Sequence, residues 1–509
     1  MAACVRFRTS LPLILLLSCA CRNPPLHKGP PTVCGRTLIW VDPAGEGSGD
    51  GSRARPLVSL TEALARPGPL TVRLAPGRYV GPFMLPPGAC LEGEGAGVVL
   101  EGLAPDGLVL RVGQGASVSD VVVKGGGWGL DMASGAQVRL TRVGFWGQHS
   151  GAVRVRAGRL DVEGGQFEAP SPAAVGIWVE SEQAPRGAVS TLPDGGPVAS
   201  AEVRIRKSVF RGPYRRAVRV RGAGGVALVE DTRFSGPATA VGVDGAHAEV
   251  RRSRSEGGDA AGFSVMDGTL LLEHVEVTGH EYGVSAMRAR GLDVHHFTST
   301  RAVRAGMGLS MSRARLRDIV VRDSGAYGGL QFVGGDLDVQ RIQLEGSAEY
   351  GVMALRGKLR LRDASITGVR TADGVGGDAL HLRQLEADVK GVVVRGAQGA
   401  CVLAAQDARV SLRDADLESC GHVGLLTDTL ARMDAKDVRI RGAATALGAL
   451  GDGELRVDGL TATGLLDGLV HAGCGGATQV LLGAIRSDDT RGVSAACVHR
   501  DTQHPSPSP

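Results

Sequence analysis

The sequence predicts an all-β solenoid, a single chain wound into coils that each pair in parallel with the next. Three observations predict it. A phrase of about 22 residues recurs from about residue 88 to 500, apolar residues alternate with polar ones in runs of three to five, and no helix-length segment separates those runs. GTLLLEHVEVTGHEYGVSAMR at 268–288 and GDLDVQRIQLEGSAEYGVMALR at 335–356 show the phrase. In the second copy Leu337, Val339, Ile342, Leu344, Val352 and Ala354 take the apolar positions, with Arg, Asp, Glu and Gln between them.

One such phrase cannot bury its apolar side alone, whereas stacked copies share a continuous core. Short strands between glycine turns exclude a doubly wound or barrel α/β fold. A leucine-rich repeat needs a regular asparagine, and this chain has one asparagine in all, Asn23. Parallel connections of L-residues are strongly right-handed. The expected architecture is therefore a single-stranded right-handed parallel β-helix of roughly sixteen to eighteen coils with an N-terminal cap.

The elements follow in chain order. Residues 1–20 carry Arg6 and Arg8, the apolar run LPLILLL and the small-residue segment SCAC, which is the layout of an export signal and too short to span a membrane. Leu16-Leu17-Ser18-Cys19 resembles the bacterial lipobox, which implies lipidation of Cys19, with Cys21 as the alternative acceptor. Neither cysteine is followed by Asp, and in that resemblance the lack of Asp implies an outer-membrane or cell-surface destination. Residues 21–36 read as a Pro-rich tether, 37–87 as cap and first strands, 88–500 as the β-helix, and 501–509 as a disordered tail. The segment 180–200 interrupts the period as an inserted loop.

With period, alternation and these boundaries in place, the chain resembles the pectin-lyase-like parallel β-helix repeat proteins of bacteria, over about 80% of its length. The segment before the coils adds to the resemblance: Val41-Asp42-Pro43, a glycine-rich turn at 45–52, a short helix from Leu60 to Leu64, and Ala75-Pro76-Gly77-Arg78-Tyr79. A cap is physically required, because the first coil would otherwise present an unpaired edge.

Composition narrows the function classes. A net charge of +4 with 22% charged residues argues against a dedicated nucleic-acid binder, and 77 glycines without a triplet period exclude collagen. Export permits disulfides. Cys474 and Cys497 fall one coil apart at nearly the same place in the phrase; Cys401 and Cys420 lie at opposite ends of turns in adjacent coils; Cys34 and Cys90 would join cap to first coil.

Chemistry is harder to find. TGHEYGVSAM at 278–287 offers His280, Glu281 and Tyr282 together, but Tyr350 and Tyr327 also precede strand-opening glycines, as does Trp128, and Glu349 repeats Glu281. The expectation is a broken column of Trp128, Tyr282, Tyr327 and Tyr350 with Glu281 and Glu349 beside it, a surface suited to a polysaccharide rather than to catalysis. Glu281 and Glu349 are three coils, about 14 Å, apart, too far for the paired carboxylates of glycoside hydrolysis. The polygalacturonase motifs of the resemblance have only partial counterparts, at Asp373, Asp378, Gly421-His422-Val423 and Arg439-Ile440-Arg441. Asp373 and Asp378 share a long turn and are weak candidates for Ca²⁺, which takes six to eight oxygens. No other metal or cofactor is expected. His280 and His422 read as surface turn residues, and the neighbours His295 and His296 as facing opposite sides of a strand. The resulting expectation is a lipid-anchored envelope protein that binds or scaffolds, with a polysaccharide lyase or glycoside hydrolase using non-standard residues as the alternative.

Overall fold

A computed structural model describes residues 34–35, 37–181, 200–371, 374 and 376–500. The candidate lipidation cysteines Cys19 and Cys21, Asp373, most of the 180–200 insertion and the C-terminal tail lie outside the described residues. The chain is a single-stranded parallel β-helix. Every strand pairing is parallel and joins one coil to the next, as Leu330 does to Val352 and Val352 to Leu380.

Each coil has three strands, so the pairings form three long sheets. The first sheet begins at Phe83–Leu85 and Leu108–Val112 and runs through Trp128–Met132, Val175–Glu180 and Tyr282–Met287 to Gly468–Ala472. The second starts at Thr37–Val41 and ends at Val498–Arg500. The third carries Gly77–Val80, Gly144–Trp146 and Ile485–Ser487. Alternation places Val, Leu, Ile and Phe inward on all three sheets, giving one continuous core. Phe145, Phe167, Phe210 and Phe234 are cross-coil partners whose rings stack at 5.2, 4.3 and 5.1 Å along that core.

The corners explain the composition. Each of the three carries a residue with positive φ in most coils, commonly glycine, for which this conformation costs least. Asparagine is the usual non-glycine alternative, and the coils contain none. Between second and third sheets the position is instead filled by residues such as Asp231, Arg252, Asp318 and Arg341. Aspartate there tolerates the left-handed region, and arginine is held by its neighbour. Arg252 makes a two-pronged hydrogen bond to Asp231 at 2.8 and 3.2 Å, and Arg341 does the same to Asp318 at 2.5 and 2.8 Å. His296 occupies this corner too, stacked on His274 at 4.5 Å. The expectation that His295 and His296 face opposite sides is therefore corrected. The corner breaks the alternation, and His295 turns outward to Asp293 at 2.8 Å.

The N-terminal coil is closed by the helix Leu60–Leu64, capped by Ser59, whose side chain accepts from the Glu62 N–H. Tyr79 of the Ala-Pro-Gly-x-Tyr segment is buried, and its hydroxyl donates to the carbonyls of Ala75 at 2.8 Å and Val41 at 3.1 Å, tying cap strand to coil. Disulfides join Cys34 to Cys90, Cys401 to Cys420 and Cys474 to Cys497. Two of them fasten the two ends of the stack, where a coil has a neighbour on one side only.

Candidate functional site

The first sheet presents one outward residue at the centre of each strand. In register these run Arg111, Asp131, Arg154, Trp178 and Arg219, then Gly242, Ser264, Ser285 and Gly308, then Gln331, Met353 and His381. The middle four are small, so the face sinks into a shallow trough between two bulkier ends. Tyr282 lies across it. A Cβ on Gly308 would stand 3.0 Å from two carbons of the Tyr282 ring, so glycine in the next coil is what lets the ring lie down. Burial raises the Tyr282 phenol above its ordinary range, against the opposing pull of the Arg304 guanidinium.

Around Tyr282 the expected residues do assemble. Arg304 holds Glu281 at 2.5 Å and stacks its guanidinium over the Tyr327 ring at 5.7 Å. Tyr327, however, is not in the Tyr282 column. Ala305 is the cross-coil partner of Tyr282, and the register carries that column on to Gly328 and then Tyr350. An extra glycine, Gly328 with φ +85°, takes the expected place of Tyr327 and shifts it one residue back, where its N–H bonds the Arg304 carbonyl. Tyr327 thus joins the Glu281–Arg304 ladder, and its half-exposed ring projects beside the trough.

Three coils on, Tyr350 heads a second group. Its ring meets His381 edge-on at 5.0 Å, and His381 Nδ1 donates to Asp378 Oδ2 at 2.7 Å. The other Asp378 oxygen accepts from the buried Ala400 N–H at 2.7 Å. Asp378 is therefore engaged on both oxygens by protein groups, and Asp373, its partner in the Ca²⁺ expectation, lies outside the described residues. No cluster of three or more metal-ligating side chains occurs among the described residues. An ionised carboxylate only accepts, so in this pair Nδ1 of His381 is the donor, and in the neutral ring of that tautomer Nε2 is the acceptor. His381 escaped the sequence reading because residues three apart on a strand point to opposite faces. Asp378 sits at the corner, as the cross-coil partner of Tyr350, and there the rule fails. Glu349 also occupies this corner, with φ +65°, and its carboxylate lies beside Gly376.

Trp128 is in the Tyr282 column but six coils earlier, with a different setting. Its ring covers Gly151, Arg154 stacks on it at 5.0 Å, and Trp178 tilts against it at 5.9 Å. Arg219 stacks on Trp178 in turn at 4.8 Å. Asp131, buried beneath, accepts from Arg154 at 2.9 Å and Arg156 at 3.0 Å. Burial alone would raise this carboxyl, but the two guanidiniums outweigh it and hold it below the usual carboxylate range. Trp178 was legible in the sequence only as an outward position in the run GIWVE.

His280 does not belong to the surface. It is fully buried, with Nε2 2.8 Å from the Ser255 hydroxyl. The core column that holds Phe234 continues with Ser255, and the space a ring would fill goes to the imidazole. The turn reading failed because a neighbouring coil, remote in the phrase, decides which side chains the corner swallows.

A wider groove of about 1210 Å³ runs along the second sheet. Its charges alternate from coil to coil, Arg315 beside Asp338 beside Arg360 beside Asp388, which is the pattern cross-strand pairing favours for stability. Among the described residues no helix is long and apolar enough to cross a membrane.

No protein-family model matches the sequence, and comparison with characterised proteins gives no match. Comparison with solved structures finds matches of low identity. An alginate lyase from Paenibacillus sp. str. FPU-7 is 15% identical with a TM-score of 0.41, covering 52% of this chain and 96% of its own. The tailspike of E. coli bacteriophage HK620, solved with a pentasaccharide, is 10% identical with a TM-score of 0.39, covering 79% and 77%. The A-module of an Azotobacter vinelandii mannuronan C-5 epimerase is 11% identical with a TM-score of 0.27, covering 87% and 91%. The chemistry of this face is read from its own side chains.

Proposed function

We propose that the first-sheet face binds an extended saccharide, with the chain acting as a binding or scaffold module anchored at the cell envelope through Cys19. One observation carries this reading: Tyr282 lies flat across a trough of glycine and serine, with Tyr327, Arg304 and Glu281 at its edge and Tyr350 three coils further along. Rings pack against sugar faces, and the flanking carboxylate and guanidinium supply directional hydrogen bonds to hydroxyls. The test is a glycan array probed with the protein and with a Tyr282→Ala, Tyr327→Ala, Tyr350→Ala triple variant. Hits on the parent that the variant loses support the reading; hits that survive unchanged remove the face from it.

The Asp378–His381 pair beside Tyr350 favours a second reading, a lyase or hydrolase acting on the same polymer. An imidazole oriented by a carboxylate, with its second nitrogen left to accept, is how a general base is held. Incubation with polyuronides, read for new reducing ends and for unsaturated products, separates the two readings. Product formation that His381→Ala abolishes establishes the enzyme, and no product from any polymer leaves the binder.

A further inference from the structure

The N-terminal end of the same face carries an uncompensated cationic site. Arg111, Arg154 and Arg156 converge on the single carboxylate of Asp131, at 3.5, 2.9 and 3.0 Å. Arg216 and Arg219 share Asp244, at 2.7 and 3.7 Å. Five guanidiniums on three alternate coils thus divide two carboxylates. On the second sheet, by contrast, the column Arg315, Asp338, Arg360, Asp388 sets each guanidinium against a carboxylate in the next coil.

Two donors in this stretch are also orphaned. The indole Nε1 of Trp178 and the Nε of Arg219 are buried, and neither has a hydrogen-bond partner among the described residues. Both groups can only donate. A buried donor without an acceptor costs free energy, and two within one stacked Arg–Trp pair mark a place where an acceptor belongs. Burial lowers the Arg219 pKa, and the neighbouring Arg216 pushes it the same way. Among the described residues Arg219 stacks on Trp178, and its Nε stands 3.7 Å from Asp244 Oδ2, beyond hydrogen-bond reach.

We infer that Trp178 and Arg219 form a subsite for the anionic group of an acidic saccharide, a carboxylate or a sulfate, whose ring rests against the Trp128–Trp178 pair. This rests on the saccharide-binding reading and adds to it the charge class of the ligand and the end of the trough where the charge sits. The donors explain the choice of an oxyanion over a hydroxyl. A hydroxyl can accept from both donors but brings a proton into a region already rich in donors, whereas an oxyanion only accepts and offsets the surplus positive charge.

The experiment is affinity electrophoresis and titration calorimetry at fixed ionic strength, with polygalacturonate, dextran sulfate and neutral dextran as probes. The variants are Arg219→Gln and Trp178→Phe, with Arg315→Gln on the second sheet as a charge-matched control. At least one anionic polymer is expected to bind the parent. Arg219→Gln should weaken it roughly tenfold or more, the scale of one hydrogen bond to a charged group. Trp178→Phe keeps the ring and removes one donor, so it should weaken binding several-fold. Arg315→Gln should leave it within about twofold. Carboxylated and sulfated polymers distinguish the two kinds of anion. Equal weakening by Arg219→Gln and Arg315→Gln, or no anionic polymer bound, overturns the subsite. Binding of a neutral glycan that is lost with Tyr282 and Tyr350 but indifferent to Arg219→Gln would also overturn it, while leaving the saccharide-binding reading intact.

Discussion

Asp378 Oδ2 accepts a 2.7 Å hydrogen bond from His381 Nδ1 while its Oδ1 accepts one of 2.7 Å from the Ala400 N–H, so one corner carboxylate fixes both a part-buried ring and the next coil. Asp378→Ala leaves the Ala400 N–H without its acceptor and should destabilise the fold by about 1–3 kcal/mol. His381→Ala removes a part-buried ring but leaves the Ala400 N–H its acceptor, and should cost less than that. Urea midpoints of the two variants check the difference; equal midpoints would mean that the carboxylate is not the structural member of the pair.

The buried ring of His280 makes stability depend on pH. Burial lowers its pKa below the ordinary value, so the folded protein keeps the ring neutral while the unfolded chain takes up a proton near pH 6.5. The stability this contributes is complete above about pH 6.5 and is lost as the pH falls below that value toward the lowered folded-state pKa, at no more than about 1.4 kcal/mol per pH unit. Urea midpoints at pH 7.5 and 5.0 should fall further for the parent than for His280→Leu. Parallel declines would show that other groups carry the acid sensitivity.

Gly308 makes room for Tyr282. A leucine there meets the ring carbons, which the Cβ alone would approach to 3.0 Å. The ring is half-buried at the surface and can swing away, so Gly308→Leu should change the melting temperature little and glycan affinity several-fold. Tyrosine-dependent affinity that survives Gly308→Leu would place the ligand elsewhere.

The Cys34–Cys90 bond closes a stretch of 56 residues at the open end of the stack. Loop-closure entropy puts its contribution at about 4 kcal/mol. In a repeat fold that loss is felt locally, because each coil contacts only its neighbours. A Cys34→Ser, Cys90→Ser double variant should show accelerated amide exchange in Thr37–Val41 and Leu70–Leu74, with central coils such as Tyr282–Met287 unchanged. Uniform acceleration would show a single cooperative unit.

Anchoring through Cys19 is tested in cells. Labelling with a palmitate analogue should mark the parent and vanish in Cys19→Ala; label retained there and lost in Cys21→Ala would move the site two residues on.

The sequence by itself determined the winding of this protein. Inward positions such as Leu337, Val339, Ile342 and Leu344 follow from a period of two within a repeat of about 22, and those two numbers leave an all-parallel solenoid as the only way to bury them. It also determined which residues gather at Tyr282, because Glu281 and Tyr282 are sequence neighbours and the repeat brings Arg304 and Tyr327 close. What only the tertiary structure decided lies at the corners. A single added residue, Gly328, moves Tyr327 out of one column and into another. Ser255 admits His280 to the core. A left-handed corner beside the strand turns Asp378 toward His381, and Trp178 meets Arg219 only when coils stack. Alternation governs strands because their geometry is periodic; corners have no period, and their side chains are placed by the coil above and the coil below.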